Sequence, residues 1–479
     1  MLFSSTVFLF AFLPLVLTAY FLLRDTRARN LLLLIASLVF YAWGETVYVA
    51  VLLFTIAINH LFGLWIEGAR GAAGARLALA AAVALNLAVL GVFKYANFLV
   101  ENLDPLTRSL GFAPIELAPI HLPIGVSFFV FQSITYVVDV YRRDAPVQRN
   151  PLQVALYIAL FPQLIAGPIV RYREVADQLR ERVSRLDDVA WGVRRFIIGL
   201  GKKVLIANTL ALPADSIFAL GPAQLQTPVA WLGVLCYALQ IYFDFSGYSD
   251  MAIGLGRIFG FRFPENFRHP YVASSVREFW RRWHISLATF FRDYLYIPMG
   301  GGRGTPLRTY RNLVTVFLLC GLWHGASWNF VVWGMIHGGC MVFERAGGER
   351  LLARAPALLG RIYLWLVVLG AWVFFRAESM PAALSYLRAM LGMGSAAGAA
   401  HPLALYLDRE LVLVLLLGLL GATPWIAHLK RRLAGRGEWS RALELGYGWG
   451  RFAFLNGVLL GSAMSLAAGT HNPFIYFRF

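Results

Sequence analysis

Cysteine is scarce: Cys236, Cys320 and Cys340 are the only three in 479 residues, each inside an apolar run. That pattern excludes a disulfide framework and has no metal-ligand spacing, so no metal is expected. Charge is scarce too. Asp, Glu, Lys and Arg make up 14% of the chain and hydrophobic residues 59%, whereas a soluble domain carries about 25% charged residues. Mean hydropathy is +0.62, which excludes an ordinary soluble domain. Acids are the rarer sign, 26 against 43 Lys and Arg, for a net charge of +17. The basic residues sit between apolar runs, where they act as topology signals and contacts for anionic lipid. A nucleic-acid partner is therefore not expected. The chain has no Walker or Rossmann glycine pattern, no internal repeat and no low-complexity segment. It has no basic residue before Arg24, so it lacks the basic start of a cleaved signal peptide, and residues 2–23 read as a retained first span.

What remains is a succession of apolar runs separated by charged turns. The runs 31–43, 46–66, 77–98 and 121–141 follow the first, and the intervening loops alternate in charge. Basic loops at Arg24–Arg29, Arg70–Arg76 and Arg142–Arg149 read as cytoplasmic, and the acidic, proline-containing loop 101–119 as external. The middle is irregular. Residues 151–170 are broken at Pro162 and at Gly167-Pro168, which predicts a re-entrant hairpin. Residues 171–195 predict an amphipathic helix, 196–212 an oblique or short span, and 213–228 a loop. The apolar run 228–259 holds Asp244 and Asp250, structural polar residues whose expected partners are the arginines that follow. Simple spans return near 362–375, 411–429 and 452–468. The expectation is an all-α, polytopic integral membrane protein with about ten to twelve crossings and both termini periplasmic. It forms one domain: N-terminal spans 1–119, a core 120–375, and C-terminal spans 376–479 ending in an external aromatic tail.

Two adjoining segments stand out. Residues 261–311 carry nine arginines and three acids. Residues 312–343 carry no Asp, Glu, Lys or Arg, yet contain His324 and His337. As one helix this second run would be roughly 48 Å long, against a hydrocarbon core of about 30 Å, so a break is expected at Gly321–Ser327. That break puts His324 at membrane depth, where ionisable groups are costly and mark function. A neutral imidazole there is available as a general base. His284 is the second candidate, placed by helical spacing on one face with Trp280, Leu287 and Phe291. His337 reads as a packing residue. The arginines from Arg277 to Arg311 fit either anionic lipid or the phosphates of a large donor, and Gly300–Gly304 is a glycine loop beside them. Tyr476, in the terminal Phe474-Ile475-Tyr476-Phe477-Arg478-Phe479, is an interface anchor or a phenol nucleophile.

The blocks Trp280-Arg281-Arg282-Trp283-His284, Phe291-Arg292-Asp293-Tyr294 and Gly321-Leu322-Trp323-His324-Gly325-Ala326-Ser327-Trp328 resemble the signatures of the membrane-bound O-acyltransferase (MBOAT) family. So do Leu122–Phe128, Phe161–Ile169 and Tyr242–Asp250, and the closest resemblance is to the bacterial cell-envelope branch that acylates polymers such as alginate and teichoic acid. The resemblance implies a helical bowl with re-entrant segments and a transmembrane tunnel. It implies His324 as the essential histidine and His284 as the second. Trp280, Arg281, Arg282, Trp283, Asp293, Trp323 and Asn329 would line the donor site or tunnel. It implies no bound cofactor, an acyl thioester such as acetyl-CoA as donor, and a polysaccharide acceptor such as alginate or cellulose. It also implies a periplasmic acetyltransferase partner, inner-membrane lipid as surroundings, and Tyr476 as a possible acyl carrier. D-alanyl transfer and a polysaccharide or lipid export channel are the alternatives.

Overall fold

The computed structural model describes residues 1–393, 401–426, 428–429, 441–469 and 471–473. Its described residues form helices and connecting turns, with no strand among them. Among the described residues, five helices are long and apolar enough to cross a membrane alone: Val49–Gly68, Ala73–Ser109, Leu186–Phe218, Thr227–Ile258 and Ala357–Arg376. Phe8–Leu22 is a shorter apolar helix beside them. The expected membrane architecture holds, with several boundaries moved. Residues 101–109 continue the preceding helix across Pro105 rather than starting a loop. The predicted loop 213–228 is helical to Phe218, through Pro213. Residues 186–218 are one helix rather than an amphipathic helix followed by a separate span. Proline at these positions does not end the helix, because tertiary packing outweighs its local preference.

Thr227–Ile258 is the central strut, and nearly all of its side chains are buried. It lies against Leu186–Phe218 at two glycine pairs. A Cβ on Gly192 would come 2.5 Å from the Gly254 carbonyl oxygen, and one on Gly199 would come 2.5 Å from that of Gly247. Hydrogen side chains at both contacts let the backbones touch, the small-residue packing typical of membrane helices. A π-helical stretch, Lys202–Ala207, follows the second pair. It presents Lys202 to Asp250 at 2.7 Å and Lys203 to Asp244 at 2.7 Å. The partners of the two buried acids are thus these lysines and Arg195, at 2.6 Å from Asp250, and not the arginines that follow. Arg195 is also bound by Glu265, at 2.6 Å.

The predicted hairpin 151–170 forms two short helices, Pro151–Ala159 and Phe161–Leu164, followed by irregular backbone. Every residue from Val154 to Val170 is buried, so protein covers the backbone that lipid cannot satisfy. The first described residues meet the last ones. Asn472 donates to the Ser4 carbonyl at 3.0 Å and accepts from Asn208 at 3.1 Å, and Lys203 donates to the Pro473 carbonyl. Tyr476 lies outside the described residues.

Candidate active site

The apolar run breaks where the glycines and small residues are. Pro306–His324 ends at His324, Gly325–Ser327 is extended, and Trp328–Phe343 turns back. The two limbs touch through glycine: a Cβ on Gly321 would collide with the Phe330 carbonyl oxygen, and one on Gly334 with that of Phe317. Breaking the helix at membrane depth leaves its last carbonyls without intrahelical donors. Lys94 fills that role. Its buried ammonium donates to the carbonyls of Trp323 and His324, the latter at 3.2 Å, and lies 3.4 Å from the Ser127 hydroxyl. Tyr95 donates its hydroxyl to the Leu322 carbonyl at 2.7 Å. A lysine and a tyrosine from one distant helix thus cap the end that carries His324.

His284 is buried and has φ 43°. It sits in the turn between Val276–Trp280 and Ile285–Phe291. Trp280 and His284 accordingly do not share a helix face; the expected helix stops between them. A non-glycine residue in this left-handed region is strained and persists only where its surroundings hold it. Asn266, fully buried, does the holding. Its Oδ1 accepts from the Ser286 backbone N–H at 3.2 Å and the Ser286 hydroxyl at 2.9 Å, while its Nδ2 donates to the Ser249 hydroxyl at 3.0 Å. His284 Nδ1 lies 3.2 Å from the same Oδ1. Since that oxygen only accepts, Nδ1 carries the proton and Nε2 keeps its lone pair.

The three imidazoles are strung on three tryptophans. Ring centroids run His284 to Trp323 at 6.0 Å, Trp323 to His324 at 4.9 Å, His324 to Trp333 at 4.9 Å and Trp333 to His337 at 4.9 Å. Trp280 closes the chain, donating its indole N–H to His337 Nδ1 at 3.3 Å. Indole only donates, so His337 keeps its own proton on Nε2. Nε2 of all three histidines, with the indole nitrogens of Trp323 and Trp333, is buried without a hydrogen-bond partner among the described residues. Buried polar atoms are nearly always paired. Five unpaired ones along one row of rings are an exception, and each is free to bond a polar molecule.

A cavity of about 590 Å³ meets this cluster at Trp280. Arg277, Arg281, Arg292 and Arg345 lie on its wall, together with Trp280, Leu287, Phe317 and Cys320, and the glycine loop contributes Gly302. Cationic and apolar surface in one cleft suits a donor with phosphates at one end and an acyl chain at the other.

With this geometry in view, the likeness to known proteins is specific. The probable alginate O-acetylase of Azotobacter vinelandii is 43% identical over 100% of both chains. That of Pseudomonas aeruginosa is 49% identical over 82% of this chain and 76% of its own. The peptidoglycan O-acetyltransferase of Helicobacter pylori is 38% identical over 82% of this chain and 80% of its own. The family profile described as membrane-bound O-acyltransferase matches residues 142–375. The chain belongs to the MBOAT family.

The sequence-predicted residues fall into two groups in this O-acyltransferase. Trp280, His284, Trp323 and His324 converge, and Arg281 lines the cavity. The others take structural positions. Arg282 turns to Glu278 at 2.8 Å. Trp283 packs in an aromatic group with Phe279 and Trp372. Asn329 donates to the Ala377 carbonyl at 2.7 Å, tying one limb of the break to the neighbouring helix. Asp293 accepts from Arg171 at 2.7 Å, Arg292 at 2.7 Å and Arg173 at 3.0 Å. Burial alone would push its carboxyl up, but Arg292, Arg171 and Arg173 outweigh that and hold it below the usual carboxylate range. Sequence reasoning missed Lys94 and Asn266. Lys94 had a signal, a single lysine inside an otherwise apolar span. Asn266 had none. His337, read as a packing residue, joins the cluster through Trp280.

Proposed function

We propose that this O-acyltransferase takes an acetyl group from a cytoplasmic thioester, acetyl-CoA, and delivers it across the inner membrane for O-acetylation of an exported polysaccharide such as alginate. The arginine-bearing cavity, with apolar wall beside it, supports a phosphorylated thioester donor. The observation that carries the reading is the row of three buried imidazoles with unpaired Nε2 atoms, joined to that cavity through Trp280. In the proposed step His324 accepts the proton of the attacking hydroxyl as its oxygen bonds to the thioester carbonyl carbon. The tetrahedral intermediate collapses, the C–S bond breaks, and the proton passes from His324 to the departing thiolate. His337, with its proton on Nε2, and the free indole N–H groups of Trp323 and Trp333 supply donors for the developing oxyanion, while His284, on the far side of Trp323, lines the path beside them.

The acceptor in this reading is first Tyr476 at the chain end, and a periplasmic acetyltransferase then carries the acetyl to the glycan. The contacts of Asn472 and Pro473 with Ser4, Asn208 and Lys203 support a tail whose base is held in place. Names of relatives, alginate O-acetylase and peptidoglycan O-acetyltransferase, support envelope polymers as the destination. The test is polymer acetylation by His324→Ala and Tyr476→Phe variants in cells, with mass spectrometry of the C-terminal peptide. His324→Ala is expected to abolish transfer while the protein still inserts and folds, and normal acetylation in that variant would sink the mechanism. Tyr476→Phe keeps the ring and removes the nucleophile, so unchanged transfer would rule out the relay alone. The adduct mass on wild-type peptide distinguishes acetyl from D-alanyl.

A further inference from the structure

A second basic cleft lies apart from the histidine cluster. It has a volume of about 490 Å³ and is walled by Arg70, Arg143, Arg149 and Arg180, with Glu67 the one acid. The arginines come from three places in the chain: the end of Val49–Gly68, the segment after Val126–Arg142, and the end of Tyr172–Arg180. Glu67 is taken by Arg70. Arg143, Arg149 and Arg180 have no ion-pair partner among the described residues. Four like charges converging on one acid repel one another, so the fold holds together a surplus that an anion would relieve.

Two further features make this more than a solvated surface. Gln148 lines the cleft, is 4% exposed, and its amide nitrogen is buried without an acceptor. Its Oε1 is already committed to the Asn150 N–H at 3.1 Å, so the nitrogen is the free end, a buried donor lacking an acceptor. Arg143 caps the preceding helix with φ 64°, a position where glycine is usual. The cost of that conformation is borne by a charged residue at the cleft's edge. Ala145, Pro146 and Val147 supply apolar wall.

We propose that this cleft binds a phosphate ester, and that its source is the headgroup of an anionic membrane lipid. Guanidinium groups bind phosphate through paired, charge-assisted hydrogen bonds, and the Gln148 amide adds a neutral donor. The basic loops here are the ones that charge alternation assigns to the cytoplasmic face, and basic pockets between spans on that face bind anionic headgroups. The site is independent of the acyl-transfer reading.

The experiment uses the full-length protein in nanodiscs of phosphatidylcholine, with and without phosphatidylglycerol, followed by detergent extraction and native mass spectrometry. Wild type is expected to retain phosphatidylglycerol selectively. The double variant Arg149→Gln/Arg180→Gln is expected to lose that adduct about tenfold or more, since it removes two of the charge-assisted guanidinium donors. The exposed Arg185→Gln serves as the control and should retain the lipid. A second arm titrates inorganic phosphate against the thermal melt of wild type and the double variant. Phosphate stabilisation lost in the double variant, without lipid retention, assigns the same chemistry to a soluble phosphate ester. Equal lipid retention in wild type and the double variant, or no response to either probe, overturns the proposal.

Discussion

Lys94 illustrates how one residue conditions the site without belonging to the reaction. Its ammonium takes up two carbonyls at the helix end that carries His324. Replacing it with Met keeps length and apolar bulk but leaves those carbonyls unpaired in a dry setting. Hydrogen bonds to charged groups are worth about 1.5–3 kcal/mol, so Lys94→Met should lower stability in detergent by about that much. Transfer should fall with it, mainly in kcat, because the cavity proposed for the donor is lined by other residues. A variant with wild-type melting and turnover would show that the break supports itself. Lys94 was detectable as a charge in an apolar span; its partner was not, because 229 residues separate it from Trp323.

At the scale of elements, the break depends on two helices approaching through glycine. Gly334 faces the Phe317 carbonyl, whereas a Cβ on Gly339 meets nothing within 4 Å. Adding one methyl at Gly334 forces the limbs apart, and overpacking of this kind costs about 1–3 kcal/mol. Gly334→Ala should therefore lower the melting temperature and sharply reduce transfer, while Gly339→Ala, five residues on, leaves both unchanged. Equal behaviour of the two variants in thermal melts would refute close contact between the limbs. The break was legible in advance because glycines and a histidine interrupt an apolar run too long for the bilayer. The turn at His284 was not, since helical spacing continued through it; Asn266, from a separate segment, imposes the left-handed conformation.

For the whole molecule, Asp293 is where several segments are pinned together. Arg171 and Arg173 reach it from beyond the buried hairpin, Arg292 from its own segment, and Arg142 donates to its backbone carbonyl at 3.0 Å. Because the folded state holds this carboxyl below its ordinary range, its contribution is present above the unfolded value, near about pH 3.9, and lost as pH falls through the lower folded value. Asp293→Asn should thus melt at a lower temperature than wild type at neutral pH, with the gap closing below about pH 4. A gap independent of pH would mean that Asp293 acts through packing rather than charge.

The membrane character, the helical class, the break at His324 and the family blocks all follow from composition and local pattern, because lipid punishes misplaced charge so heavily that the sequence must declare its spans. Charge pairing does not work that way. Asp244 and Asp250 had to find cations, but only the glycine contacts and the π-helical stretch at Lys202–Ala207 decided that the lysines, not the later arginines, would reach them. The same holds for the imidazoles. Nine histidines are visible in the chain; that tryptophans string three of them, with unpaired Nε2 atoms, along one row is a property of packing, which the order of residues does not disclose.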